Sequence, residues 1–120
     1  MLIRSQNREV LINLNSMAGI EIAEGPIKTI ITSYITGCSY LLGEYSTKAK
    51  AMKVLDMIQK VYANSEIVKA LIPEIGKMVK EAPLTKENEL LAGVLGEELE
   101  KKMIFQMPQD SEVEVDDTKM

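Results

Sequence analysis

"CSYLLGEYSTKAKAMKVLDMIQKVYA", residues 38–63, changes its period halfway along. Up to Tyr45 it reads as a strand, short and partly aromatic. From Ser46-Thr47 onward the apolar residues Ala51, Val54, Leu55, Ile58, Val61 and Tyr62 recur at steps of three and four, which is one face of a helix. Ser46 or Thr47 can cap that helix, because either hydroxyl can accept from a free amide of the first turn. The junction therefore predicts a strand that delivers the chain into a helix lying across a sheet.

Upstream, strand signals dominate. In "VLINLN" (10–15) Val10, Ile12 and Leu14 share one face, and in "MAGIEIA" (17–23) Ala18, Ile20 and Ile22 do the same. Asn15-Ser16 offers a turn, and Glu24-Gly25-Pro26 a stronger break. "IKTIITSYIT" (27–36) is β-branched and fits a strand, with a turn at Thr36-Gly37-Cys38. The expectation is an antiparallel meander of about five strands.

Downstream, Asn64-Ser65 reads as the end of the first helix and the cap of the next, whose stripe is Val68, Leu71, Ile72, Ile75, Met78 and Val79. Pro73 lies inside that stripe and predicts a kink or two short helices. "APLT" (82–85) is a stop, with Thr85 as the next cap. "KENELLAGVLGEELEKK" (86–102) then carries Leu90, Leu91, Val94, Leu95 and Leu99 on one face. Gly93 and Gly96 weaken this helix by ~1 kcal/mol each and permit close approach of another backbone. In "KMIFQMP" (102–108), Ile104, Phe105 and Met107 form a short closing strand that returns to the sheet, ended by Pro108.

These elements give an α+β fold: meander, one helix packed on the sheet, an inserted helical hairpin over 65–102, and a C-terminal strand. A single domain spans 1–108, and 109–120 is an acidic, disordered tail. The hairpin either folds over the open sheet face or packs against another copy. Its apolar supply exceeds what one small sheet can absorb, which predicts a homo-oligomer with Leu90, Leu91, Val94, Leu95 and Leu99 at the interface.

Composition narrows the function. The net charge of −4 is concentrated in the last twelve residues, where Asp110, Glu112, Glu114, Asp116 and Asp117 face one lysine, Lys119. The rest is formally neutral, without the basic stripe that long nucleic acids require. No run approaches the ~20 apolar residues of a membrane span, and no secretory signal is visible. The lone Cys38 reads as a buried strand thiol in a reducing compartment, so a cytosolic location is expected. There is no histidine, hence no ordinary neutral-pH base, Ser–His–Asp triad or His-based metal site. "GEYSTKAK" does not match a phosphate loop. Glu97, Glu98 and Glu100 beside Lys101 and Lys102 read as a solvated face. The expectation is a protein with no catalytic residue, cofactor or metal.

What remains is binding. "IRSQNR" (3–8) holds both arginines of the chain. It reads first as a hairpin loop, polar because loops are solvated. Its second reading is an anion site, in which Arg4 and Arg8 offer forks for phosphate or carboxylate and Gln6 and Asn7 offer donors and acceptors. Gln106 and Gln109 could join them if the final strand pairs near the first, with Phe105 the aromatic at hand.

"LIRSQNREVLINLN" (2–15), "LGEYSTKAKAMKVLDMIQ" (42–59) and "FQMPQD" (105–110) resemble a group of small uncharacterised proteins of phages, prophages and integrative elements of Gram-positive bacteria. In that group an IRSQ start, a Tyr-Thr step into a VLDxI helix and a closing aromatic–x–Met–Pro recur. The likeness covers roughly residues 1–63 and 103–110. Small phage proteins of this build include counter-defence sponges, oligomers that sequester signalling nucleotides of the cyclic ADP-ribose or cyclic oligonucleotide type. The resemblance thus implies a nucleotide held by Arg4, Gln6, Asn7, Arg8, Phe105 and Gln106. The alternative is a module that inhibits or adapts a host protein through its helical hairpin.

Overall fold

The computed structural model describes residues 1–115. It is an α+β fold of six strands and two α-helices: β1 (Leu2–Arg4), β2 (Leu11–Asn13), β3 (Gly19–Glu24), β4 (Thr29–Ile35), β5 (Cys38–Tyr45), α1 (Lys48–Glu81), α2 (Lys86–Lys102) and β6 (Ile104–Gln106). No described helix is long and apolar enough to cross a membrane.

The meander is divided between two three-stranded sheets, ordered β2-β1-β6 and β3-β4-β5. The break falls after β2, where a 3₁₀ turn (Leu14–Ser16) is capped by the Asn13 side chain accepting from the Asn15 amide. The closing strand does return. β6 pairs parallel with β1, placing Phe105 beside Ile3 and Gln106 beside Arg4. β1 is antiparallel to β2 on its other side, with Ile3 opposite Ile12.

The core forms where these sheets meet the first half of α1. Ile3, Ile12, Ile31, Leu42, Tyr45, Ala51, Val54, Ile58, Phe105 and Met107 are all buried in it. Gly43 leaves room there for the Tyr45 ring, which a Cβ would approach to 3.0 Å. Cys38, expected to be buried, is exposed. It opens β5 just after the Gly37 turn, and the first four residues of that strand are exposed.

Thr47 caps α1 as its position predicts, its Oγ1 accepting from the Lys50 amide at 3.2 Å. The stop expected at Asn64-Ser65 does not occur, and α1 runs unbroken through Pro73 to Glu81. The Ser65 hydroxyl donates instead to the Tyr62 carbonyl at 2.8 Å, a back-bond a helix accommodates, and Ser65 is buried. The helix ends at Ala82, whose backbone is extended (φ −69°, ψ 144°), as the ring of the following Pro83 demands. Thr85 begins α2, accepting from the Asn88 amide at 3.1 Å. The hairpin is therefore the distal half of α1 with α2, not a separate helical pair over 65–102.

This hairpin leaves the body. The radius of gyration is 18.0 Å and the extents are 60 × 39 × 23 Å, against about 14 Å of gyration for a compact chain of this length. From Glu66 through Leu99 not one residue is buried. The hairpin does not cover the sheet.

The acidic end, expected to be disordered from 109, is anchored through residue 115. A 3₁₀ turn spans Asp110–Glu112 and Val113 enters the core. Asp110 accepts from the Ser46 amide at 2.8 Å and from the Ser46 hydroxyl at 3.1 Å. Lys50 pairs with the same carboxylate at 3.4 Å, and Lys53 donates to the Glu114 carbonyl. A carboxylate at the start of α1 and one valine in the core overcome the solubility of the segment. Asp116, Asp117 and Lys119 lie outside the described residues.

Candidate functional site

Three places could bind something: the arginine turn, a cleft at the base of the hairpin, and the hairpin's apolar face. The turn is built by Ser5. Its backbone pairs with Val10 (Ser5 N to Val10 O, 2.8 Å) and accepts from the Arg8 amide at 2.9 Å. The Ser5 hydroxyl accepts from the Val10 amide at 3.0 Å and donates to Asn7 Oδ1 at 2.6 Å. Asn7 Oδ1 also accepts from the Glu9 amide at 3.0 Å. Arg8 closes the turn with φ of 67°, the left-handed region. Its carbonyl accepts from Arg4 Nε at 3.1 Å.

Gln6 joins the two sheets. Its amide donates to the Leu42 carbonyl at 2.7 Å. Its side-chain carboxamide then pairs with the Glu44 backbone in both senses, Nε2 to the carbonyl at 3.0 Å and Oε1 from the amide at 2.8 Å. A side chain thus takes the place of a strand residue along the edge of β5. Nε2 also reaches the Pro108 carbonyl at 3.2 Å, where the Tyr45 hydroxyl donates as well, at 2.9 Å. Burial pushes the Tyr45 phenol far above its ordinary pKa, helped by the carboxylates of Asp110 and Glu112. From the C-terminal side, Gln106 Nε2 donates to the Ser5 carbonyl at 2.9 Å and Gln109 Nε2 to the Gln6 carbonyl at 2.8 Å.

The pairing of β1 with β6 therefore gathers Arg4, Gln6, Asn7, Arg8, Gln106 and Gln109 at one end of a sheet. Most of their amides are already engaged. The turn is a clasp between the first strand, β5 and the C-terminal segment. Phe105 is 8% exposed, and what it shows lines the cleft at the hairpin base, which neither arginine lines. Arg4 and Arg8 differ: among the described residues, neither forms an ion pair.

The cleft at the hairpin base has a volume of about 510 Å³ and is lined by Val61, Asn64, Val68, Lys101, Phe105 and Gln106 among others. Lys101 is 3.4 Å from Glu98. The two arginines stand outside this cleft.

The third place is the most apolar. Near the hairpin tip a groove of about 360 Å³ is walled by Ile75, Met78, Val79, Leu84, Leu91 and Leu95. Leu84 is 97% exposed, Met78 70% and Leu91 66%. Leu95 and Leu99 are the least exposed of the α2 leucines, while Leu90, Leu91 and Val94 stand open to solvent. On the distal half of α1 the exposed large apolar residues are Ile67, Leu71, Ile72, Met78 and Val79. The interface residues that the sequence predicts, Leu90, Leu91, Val94, Leu95 and Leu99, all lie on α2, and the stripe it predicts over Val68–Val79 is as uncovered on α1. Gly76, Gly93 and Gly96 have nothing within 4 Å of a would-be Cβ, so among the described residues no backbone uses the close approach they allow.

No protein-family model matches this chain, and no match is found among curated proteins or solved structures.

Proposed function

We propose that this is a non-catalytic binding protein whose working surface is the helical hairpin, a protein–protein interaction module. The observation that carries the reading is the absence of any buried residue between Glu66 and Leu99, in a segment whose apolar stripe is long on both helices. Ordinary monomers expose apolar patches of roughly 300–600 Å². On the hairpin, Ile67, Leu71, Met78, Leu84, Leu90, Leu91 and Val94 are each about half exposed or more, far beyond apolar residues scattered singly over a monomer's surface. A helix pair with an uncovered stripe is only marginally stable in water, so most of its order would come from what docks on it. In the setting that the likeness to mobile-element proteins implies, such a module would inhibit or adapt a host protein.

Lysines divide the molecule into two reporters: Lys77, Lys80 and Lys86 on the hairpin, Lys28 and Lys48 on the body. Amine cross-linking of the full chain in its native host extract, read by mass spectrometry, should place inter-protein links on the first group. The folded Leu91→Lys/Leu95→Lys variant should lose them. Links confined to Lys28 and Lys48 would overturn the reading.

A second reading, a sponge for a small anionic signalling nucleotide, is favoured by one observation. Arg8 holds a backbone conformation that glycine would hold at less cost, beside Arg4 and without an acidic partner among the described residues. Calorimetry with cyclic ADP-ribose and cyclic dinucleotides should then give heat that Arg4→Ala/Arg8→Gly abolishes. Silence from the unaltered protein ends that reading.

A further inference from the structure

We infer that the outer edge of β6 is a receptor for an extended peptide of another protein. The peptide adds as a fourth strand to the sheet β2-β1-β6 and sets an apolar side chain into the cleft at the hairpin base. This site is separate from the exposed leucines of the hairpin and does not depend on them.

The backbone register defines the edge. β6 is an end strand of its sheet, with β1 as its neighbour. The Leu2 amide donates to the Met103 carbonyl at 2.8 Å and the Met107 amide to the Arg4 carbonyl at 3.0 Å, with Ile3 beside Phe105. Along a strand, successive residues turn their backbone groups to opposite sides. Phe105 therefore bonds toward β1, while Ile104 and Gln106 turn N–H and C=O away from it. Among the described residues, the Gln106 amide and both of those carbonyls have no backbone partner. A row of such groups is matched by another extended backbone.

The cleft supplies what an ordinary edge lacks. Natural edges are protected by being short, charged or covered. β6 is short, at three residues, but its cover stands off. The cleft of about 510 Å³ lies between β6 and Val61, Asn64 and Val68 of α1, and no residue of β1 lines it, which puts it on the outer side of β6. Residues directly opposite in neighbouring strands send their side chains to the same face. The peptide residue beside Phe105 therefore points, as Phe105 does, toward the apolar wall of Val61 and Val68. A second copy of β6 does not fit. Each β6 carries α1 over its outer side, and paired strands lie about 4.8 Å apart, so two helices each about 10 Å wide would share one gap. A bare extended segment brings no such helix.

Hydrogen exchange of the free full chain reads the edge first. The Gln106 amide should exchange at least about 10-fold faster than those of Phe105 and Met107, which bond to β1. A Gln106 amide as slow as its neighbours means that the edge is already filled, and overturns the inference. A random heptapeptide display library selected on the full chain is the probe for the occupant. Recovered peptides should carry apolar residues at alternate positions and slow the Gln106 amide. Methylating one alternate set of peptide amides should abolish binding, and methylating the other set should leave it. Gln106→Pro removes the outward amide and keeps the bonds to β1. It should weaken binding at least about 10-fold, whereas Gln106→Ala, which removes only the side chain, should not. If Gln106→Pro is not folded by circular dichroism, Val68→Trp, which fills the cleft from its wall, makes the same test. No enriched peptide, or peptides that bind the folded edge or cleft variant as well as the unaltered chain, overturn the inference. Leu91→Lys/Leu95→Lys should bind unchanged. Peptides lost on that variant instead belong to the hairpin face, which overturns this inference and supports the reading of the hairpin as the working surface.

Discussion

The two halves of α1 follow the same apolar spacing and have opposite fates. In the first half, Ala51, Val54 and Ile58 are buried against the sheets. In the second, from Glu66 onward, nothing is buried. Local sequence is alike on both sides of Ser65, so the difference comes from what the topology brings opposite. Two sheets flank the proximal half, while the distal half has only α2, one helix against a stripe wide enough for two. An apolar stripe states a need for cover. It does not say whose.

That contrast can be broken by substitution. Ile58→Ala should destabilise the protein by about 2–5 kcal/mol, the range for a buried isoleucine whose site cannot collapse. Ile72→Ala, on the same helix, should cost within about 0.5 kcal/mol in dilute solution, as for an exposed site. Urea denaturation of both variants measures the gap, and equal losses would mean that the distal half is covered even in dilute protein.

The clasp gives the next effect. Gln6→Ala leaves the Glu44 amide and carbonyl without their side-chain partner, which should cost about 1–3 kcal/mol. Denaturant unfolding would show it, and a neutral result would mean that water replaces the carboxamide at no cost.

Smaller still are the hairpin glycines. A Cβ at Gly93 or Gly96 meets nothing, so alanine at either should stabilise α2 by about 1 kcal/mol. Hydrogen exchange should report the gain as protection of α2 amides, with the body unchanged.

The mildest is pH. Asp110 is held below the ordinary carboxylate range, first by the Ser46 amide and then by the Ser46 hydroxyl and Lys50. A depressed folded pKa means that its contribution is present above the unfolded value and lost as pH falls through the folded one. The Ser46 amide resonance should shift as acid releases the C-terminal segment, before the core unfolds. Release at neutral pH would contradict the assignment.

Much of the fold was legible because it is local. Thr47 and Thr85 announce their helices by type and position, and "IFQ" announces a strand by its β-formers. The split of the meander was not legible, since it depends on where Gln6 and β6 dock, contacts that link residues about a hundred positions apart. Ser65 misled because a serine that caps one helix can back-bond inside another. The arginine turn was visible as an inventory of donors and acceptors. Where Gln6, Asn7 and Gln106 spend them is tertiary information. Asp110 and Val113, in a segment that composition marks as soluble, are two anchors among several acids.

The central place of β1 in its sheet has a consequence for synthesis. β1 is made first, but its second neighbour, β6, begins at Ile104. At ribosomal rates of roughly 5–20 residues per second, about 5–20 s separate the two strands. Throughout that interval the nascent chain carries an unpaired edge beside Ile3, and the whole hairpin is made before that edge is covered. A message cut short within α2 would release a product lacking β6, Gln106 and Gln109. Its first sheet could not close, and quality control would have an open strand to find.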